Sequence, residues 1–199
     1  KDQKQNIISH NLKRLGIKKY NYNSIFYLTI EEKEWCNDIL NEYKKPIISI
    51  CTKSKEPVKN WPIDYWCKLV NILTSKFTII HLGDNKEPEL EGVIRMAGKY
   101  SMRESAALIS ISQLFIGPDS LLMHIANGLE IKSIIIFGGS RPVRCFGYEN
   151  NINLSSNPAC SPCWIHEGHE SCTKELECMR SISVQKILSN VLRILEPRN

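Results

Sequence analysis

From Phe115 to Ala126 an apolar run enters a Gly117-Pro118 turn, and an Asp119-Ser120 pair then opens a helix that carries His124. A strand that stops at a tight turn and restarts as a helix leaves the first helical N–H groups without backbone acceptors, at the positive end of the helix dipole. Such a junction holds phosphate readily. It also restricts the fold, because it belongs to sheets whose strands are each followed by a helix.

The same alternation recurs along the chain. Strands are expected at Ile47–Cys51, Phe77–Leu82, Leu114–Ile116 and Ser133–Phe137, with weaker ones near Ile94–Met96 and Ile152–Leu154. Each is an unbroken apolar run, as in a parallel sheet covered on both faces. Thr29-Ile30-Glu31-Glu32 and Ser101-Met102-Arg103-Glu104 are capping boxes, predicting helices from Thr29 to about Lys44 and over Arg103–Ser110. Pro62 favours a helix start running to about Thr74. Ser183 opens a closing helix in which Val184, Ile187, Leu188, Val191, Leu192 and Leu195 make one apolar stripe. The expected class is α/β: a Rossmann-like, doubly wound parallel sheet.

Composition fits that expectation. The 199 residues are 42% hydrophobic and 24% charged, enough for one well-filled core, or one core plus an appendage. No apolar run approaches the roughly 18 residues of a membrane span. Lys1 to Gln5 is polar with no apolar block behind it, so no signal peptide is expected. A net charge of +5 suits an anionic ligand and is too small to argue for nucleic acid. Of the eight cysteines, Cys36, Cys51, Cys67 and Cys145 stand apart in apolar contexts, as buried free thiols do, and point to a reducing compartment.

In open α/β sheets ligands sit beyond the carboxyl ends of the strands. There the chain places Thr52-Lys53-Ser54-Lys55 with Lys59-Asn60-Trp61-Pro62, then Gly83-Asp84-Asn85-Lys86-Glu87, Gly98-Lys99, Gly117-Pro118-Asp119-Ser120 and Gly138-Gly139-Ser140-Arg141-Pro142. Every such loop carries glycine, hydroxyls or lysine, and together they describe a crevice for a phosphorylated ligand. Taken singly, Asp119 or Ser120 reads as a helix N-cap, His124 as a structural histidine and Lys59 as a solvated surface lysine. Their meeting at one sheet edge favours a binding site.

Lys59-x-Trp61-Pro62, Gly98-Lys99 with Ser101, Asp119-Ser120-x-x-x-His124-x-Ala126 and Phe137-Gly138 resemble the C-terminal half of glycosyltransferase family 9, the heptosyltransferases of lipopolysaccharide assembly. The resemblance runs from about Ile47 to Val191. It implies the second, donor-binding domain of a GT-B fold over residues 46–199, with residues 1–45 as linker and first helix. It implies an inverting transfer of heptose or a similar sugar from a nucleotide-diphosphate sugar, ADP-heptose first, to a lipopolysaccharide, glycan, lipid-linked or protein acceptor. Lys59 is then the lysine on the diphosphate, where it would stabilise the leaving group; Asp119, Ser120 and Leu121 are the helix start that grips phosphate and sugar, with His124 beside them. Gly98 lines the cofactor site, and Ser54 and Glu87 fall near the family's hydroxyl and ribose-binding carboxylate. No Asp-x-Asp clamp stands at the strand ends, so no metal is expected in the transfer step. The implied location is cytoplasmic, or peripheral at the inner face of the inner membrane.

Two departures stand out. Leu121 occupies a position where the family usually has glycine, which would let a ligand approach the backbone closely. The acceptor domain with the family's general-base aspartate has no counterpart here. The chain is therefore expected to be a fragment, or a reduced protein needing an N-terminal acceptor domain in cis or in trans.

The loop 158–180 is Cys-rich: Cys160-Ser161-Pro162-Cys163, then Cys172 and Cys178. These four are candidate ligands for structural zinc or iron, with His166 and His169 as substitutes. The alternatives are four reduced thiols or two disulfides. Competing functions are a nucleotide-sugar epimerase, whose carboxylates are not identifiable, and a non-catalytic nucleotide-binding or scaffold domain, which Leu121 and the missing base favour.

Overall fold

The computed structural model describes residues 7–18, 23–165 and 172–196. Two helices precede the sheet, α1 (Ile7–Arg14) and α2 (Ile30–Leu40). The strands are β1 (Ile47–Ile50), β2 (Thr78–His81), β3 (Ile94–Arg95), β4 (Leu114–Pro118), β5 (Ser133–Ile136) and β6 (Ile152–Leu154). All pair in parallel, in the order β3-β2-β1-β4-β5-β6. Between and after them lie α3 (Ile63–Leu73), α4 (Met102–Ser110), α5 (Leu121–Gly128), the short α6 (Val143–Phe146) and α7 (Glu177–Arg180), and α8 (Val184–Leu195). The doubly wound α/β sheet expected from the sequence is present.

The unbroken apolar strands are explained by which way successive residues point. Ile47, Ile80, Phe115 and Ile135 join one core with residues of α2, α4 and α5. Their chain neighbours Ile48, Ile79, Leu114 and Ile134 join the other, with α3 and α8. With a period of two, a strand buried on both faces is apolar at most positions; buried exceptions such as Ser49 and His81 are hydrogen-bonded, to Leu114 O and Glu87. Ile187 and Val191 of the α8 stripe are fully buried against this second core. Truncating either to alanine should cost about 2–4 kcal/mol through lost transfer energy and the cavity left behind.

Both capping boxes form: Glu32 N–H donates to Thr29 Oγ1 at 3.2 Å, and Glu104 N–H to Ser101 Oγ at 3.2 Å. Ser183 likewise accepts from Lys186 N–H. Two expectations differ. The helix begun at Thr29 ends at Leu40 rather than near Lys44, and α1 lies in a stretch read as linker. Cys67 is exposed on α3, whereas Cys36, Cys51 and Cys145 are buried as expected.

Candidate functional site

The segment after β1 reaches three neighbouring loops at the carboxyl edge of the sheet. Its anchor is Trp61, 3% exposed, whose indole N–H donates to the Ile182 carbonyl at 2.8 Å and whose ring meets Trp66 and Tyr65 edge to face. The preceding turn, Pro57–Lys59, is closed by Lys59 N–H to Glu56 O and Asn60 N–H to Pro57 O, both 3.0 Å. The Asn60 side chain accepts from Ser54 N–H at 2.7 Å. Ser54 is thus part of the loop's own scaffold, and its hydroxyl accepts from Glu56 N–H.

This turn presents Lys59, only 9% exposed, with Nζ 2.9 Å from Asp119 Oδ2 and 3.2 Å from Glu56 Oε1. Lys59 and Asp119, 60 positions apart in the chain, are therefore in contact at one edge. Removing one partner of such a buried pair is expensive, because the other charge stays buried alone.

Ser120 takes the N-cap position of α5 with extended backbone, but its side chain makes no capping bond. The contrast with Thr29, Ser101 and Ser183 is direct, since each of those hydroxyls caps its helix. The first-turn amides of α5 are left to another acceptor, at the end of the helix that favours anions. Leu121, standing where the related family usually has glycine, is 57% exposed at this helix start.

His124, one turn in, has Nδ1 2.7 Å from the Tyr148 hydroxyl. If that hydroxyl donates, the neutral ring carries its proton on Nε2. Burial pushes the His124 pKa down; Asp119 opposes this and Lys59 adds to it. Burial, rather than the helix end, is thus the largest cause of a neutral imidazole. The two charges that act on His124 are the same two that form the ion pair.

Glu87 turns into the protein. It is 5% exposed and its two oxygens accept from Thr52 N–H and Lys53 N–H, each at 3.1 Å, and from the Thr52 hydroxyl. His81 Nε2 lies 2.9 Å away. Burial would raise the Glu87 carboxyl, but hydrogen bonds with His81 and Thr52 outweigh it and the net pKa is lowered. Glu87 fastens the start of the β1 loop to the β2 loop. Gly83 makes room for it: at φ +134°, a Cβ there would stand 2.5 Å from Glu87 Oε1. Gly98, at φ +74°, packs on Asn85, and its N–H donates to Gly83 O. Gly98 thereby ties the third loop to the second.

Beyond β5, Gly138 and Gly139 face the Cys-rich segment, and a Cβ on Gly139 would touch Cys178 and Ser161. Cys163 N–H donates to Gly139 O at 3.0 Å. Cys160, Cys163, Cys172 and Cys178 line one cavity of about 20 Å³ beside this loop. All four are free thiols, and among the described residues no three His, Cys, Asp or Glu side chains are grouped to hold a metal. His166 and His169, the substitute ligands named from the sequence, lie outside the described residues. Burial pushes the Cys178 thiol up, with smaller contributions from Cys172 and Cys163.

Sequence reasoning missed Glu56, which stands between Lys59 and Arg141, and Tyr148, the partner of His124. Glu56 has only its three-residue spacing to Lys59 as a local signal, its contact with Arg141 spanning 85 positions, and Tyr148 meets His124 from another element.

The family model of glycosyltransferase family 9 (heptosyltransferase) matches residues 10–174. The chain belongs to glycosyltransferase family 9. Among curated members of the family, the lipooligosaccharide heptosyltransferase 2 of Haemophilus influenzae is 27% identical over 139 residues, covering 58% of this chain and 40% of that protein. The chain spans less than half the length of the curated relatives it matches. Among solved structures, the family 9 glycosyl transferase of Veillonella parvula shares the fold at TM-score 0.76 and 16% identity, over 97% of this chain and 60% of that one. The iron-containing heptosyltransferase TibC, solved in complex with ADP-D-beta-D-heptose, aligns at TM-score 0.62 and 19% identity, over 76% and 45%. No described helix is long and apolar enough to cross a membrane.

Proposed function

We propose that this domain binds the nucleotide-diphosphate sugar of an inverting glycosyltransferase, holding the diphosphate between Lys59 and the uncapped start of α5. The observation that carries this reading is the contact of Lys59 with Asp119 beneath a helix N-terminus whose own serine leaves the amides free. ADP-heptose is the preferred donor, in line with the ligand named for TibC.

Transfer builds negative charge on the departing diphosphate. Lys59 and the first-turn amides of α5 would offset that charge from fixed positions, the electrostatic contribution that is usually the largest in such reactions. His124, neutral in the free domain, would take up a proton as the diphosphate arrives and donate from Nε2 to a phosphate oxygen, while Nδ1–H donates to the Tyr148 hydroxyl. Asp119 serves mainly to fix the ammonium group; the general base that activates the acceptor hydroxyl would come from an acceptor domain, in cis or in trans. The acceptor would be a lipopolysaccharide or another glycan, met in the cytoplasm or at the inner face of the membrane. In this reading Glu87 shapes the loop that carries Lys59 rather than meeting the ribose.

Calorimetric titration with ADP, AMP and adenosine tests the reading. ADP should bind measurably and AMP more weakly. Equal affinity for ADP and adenosine would overturn it, since the proposed contacts are to phosphate.

A further inference from the structure

The ion pair of Lys59 is one part of a longer line of alternating charge. Glu56 Oε1 stands 3.2 Å from Lys59 Nζ and 3.4 Å from an Arg141 guanidinium nitrogen. Arg141 comes from the loop after β5 and is held over the rings of Phe146 and Trp164, at 5.5 and 5.7 Å. Its side chain is 16% exposed. One anionic oxygen thus lies between an ammonium and a guanidinium supplied by different loops, at the edge where Asp119 closes the other side of Lys59. A phosphate oxygen can take the same place between two cations, and guanidinium matches phosphate particularly well.

The two carboxylates on Lys59 differ in how firmly they are set. Asp119 is 7% exposed in its side chain and sits at the α5 start, whereas Glu56 is 25% exposed on a longer stem at the lip of a one-turn 3-10 helix. We propose that Arg141 is a second phosphate-binding cation of this site, and that Glu56 holds the position of the ligand's anionic oxygen until the ligand displaces it. The inference rests on the diphosphate reading above and adds a residue and a competitor to it. It makes Arg141 a ligand contact from the far side of the diphosphate and makes Glu56 an internal anion that lowers the observed affinity.

The test is calorimetric titration of the full chain and its variants with ADP and AMP, with thermal melting to confirm folding. Glu56→Gln should bind ADP roughly three- to tenfold tighter, because a neutral amide competes poorly for two cations. Arg141→Gln should bind ADP roughly tenfold more weakly and lose much of the preference for ADP over AMP. Arg141→Lys should recover part of that loss, and E56Q/R141Q should gain less over R141Q than E56Q gains over the unaltered chain, because only Lys59 is then released. Weaker ADP binding by E56Q, or unchanged ADP affinity in folded R141Q and R141K, overturns the inference while leaving the diphosphate reading intact. Failure of the unaltered chain to bind ADP removes both.

Discussion

Replacing Lys59 by methionine separates two consequences of one ion pair. The ammonium lies 2.9 Å from Asp119, with both side chains about nine-tenths buried, and 3.2 Å from Glu56. Lys59→Met keeps the length of the stem but leaves Asp119 as an uncompensated buried carboxylate. Breaking such a pair costs about 3 kcal/mol or more, and at about 2–4 °C per kcal/mol for a chain of this size Tm should fall by about 6–12 °C. The second variant, Lys59→Met with Asp119→Asn, removes the orphaned charge and should recover most of that loss. Affinity for ADP should not return with it. A hydrogen bond to a charged group is worth about 1.5–3 kcal/mol, so at about 1.4 kcal/mol per decade both variants should bind ADP roughly ten- to a hundredfold more weakly. Circular dichroism melts and titration calorimetry on the same preparations read the two effects. If single and double variants melt alike, the pair is not a buried charge pair. If either keeps full ADP affinity, Lys59 is not the diphosphate lysine.

Other outcomes follow from the same geometry. Because burial holds the His124 pKa below its usual value, the ring contributes stability that is present above about pH 6.5 and is lost as pH falls through the folded value; an ADP dianion favours the charged ring, so binding should take up a proton, measurable by calorimetry in buffers of different ionisation enthalpy. Equal heats in all buffers would count against His124 at the phosphate. Gly83→Ala places a methyl group into Glu87 at a strained positive φ and should destabilise by about 1–3 kcal/mol, seen as an earlier urea midpoint, whereas Gly16→Ala, with open space around its Cβ, should cost less. Metal analysis of the reduced protein, with thiol titration after unfolding, decides between the two readings of the Cys-rich loop: one equivalent of zinc or iron means a structural site, and eight titratable thiols without metal mean reduced cysteines.

Much of the fold was legible because its causes are local. Ile47-Ile48 and Ile134-Ile135 show a two-faced strand without help from the rest of the chain, and Thr29 with Glu32 announces a helix start by a bond between neighbours. The meeting of Lys59 with Asp119 was legible through the spacing of short motifs behind adjacent strands. Glu87 was not: its inward turn depends on the φ of Gly83 and on unsatisfied amides at Thr52 and Lys53, which appear only once β1 and β2 lie side by side. The Glu56–Arg141 contact spans 85 positions and has no local signature. The spacing of Cys160, Cys163, Cys172 and Cys178 was enough to place them together, and all four line one cavity.

The single hydrogen bond from Trp61 to Ile182 joins two regions that look independent in the chain. One end is two residues from the buried lysine; the other lies just past the cysteine-bearing insertion, whose Cys178 also lies against the glycine turn after β5. Shortening that insertion is therefore not a peripheral trim. It would withdraw the carbonyl on which the tryptophan hangs, and the ammonium group would lose its fixed bearing before any residue that meets the nucleotide had been altered.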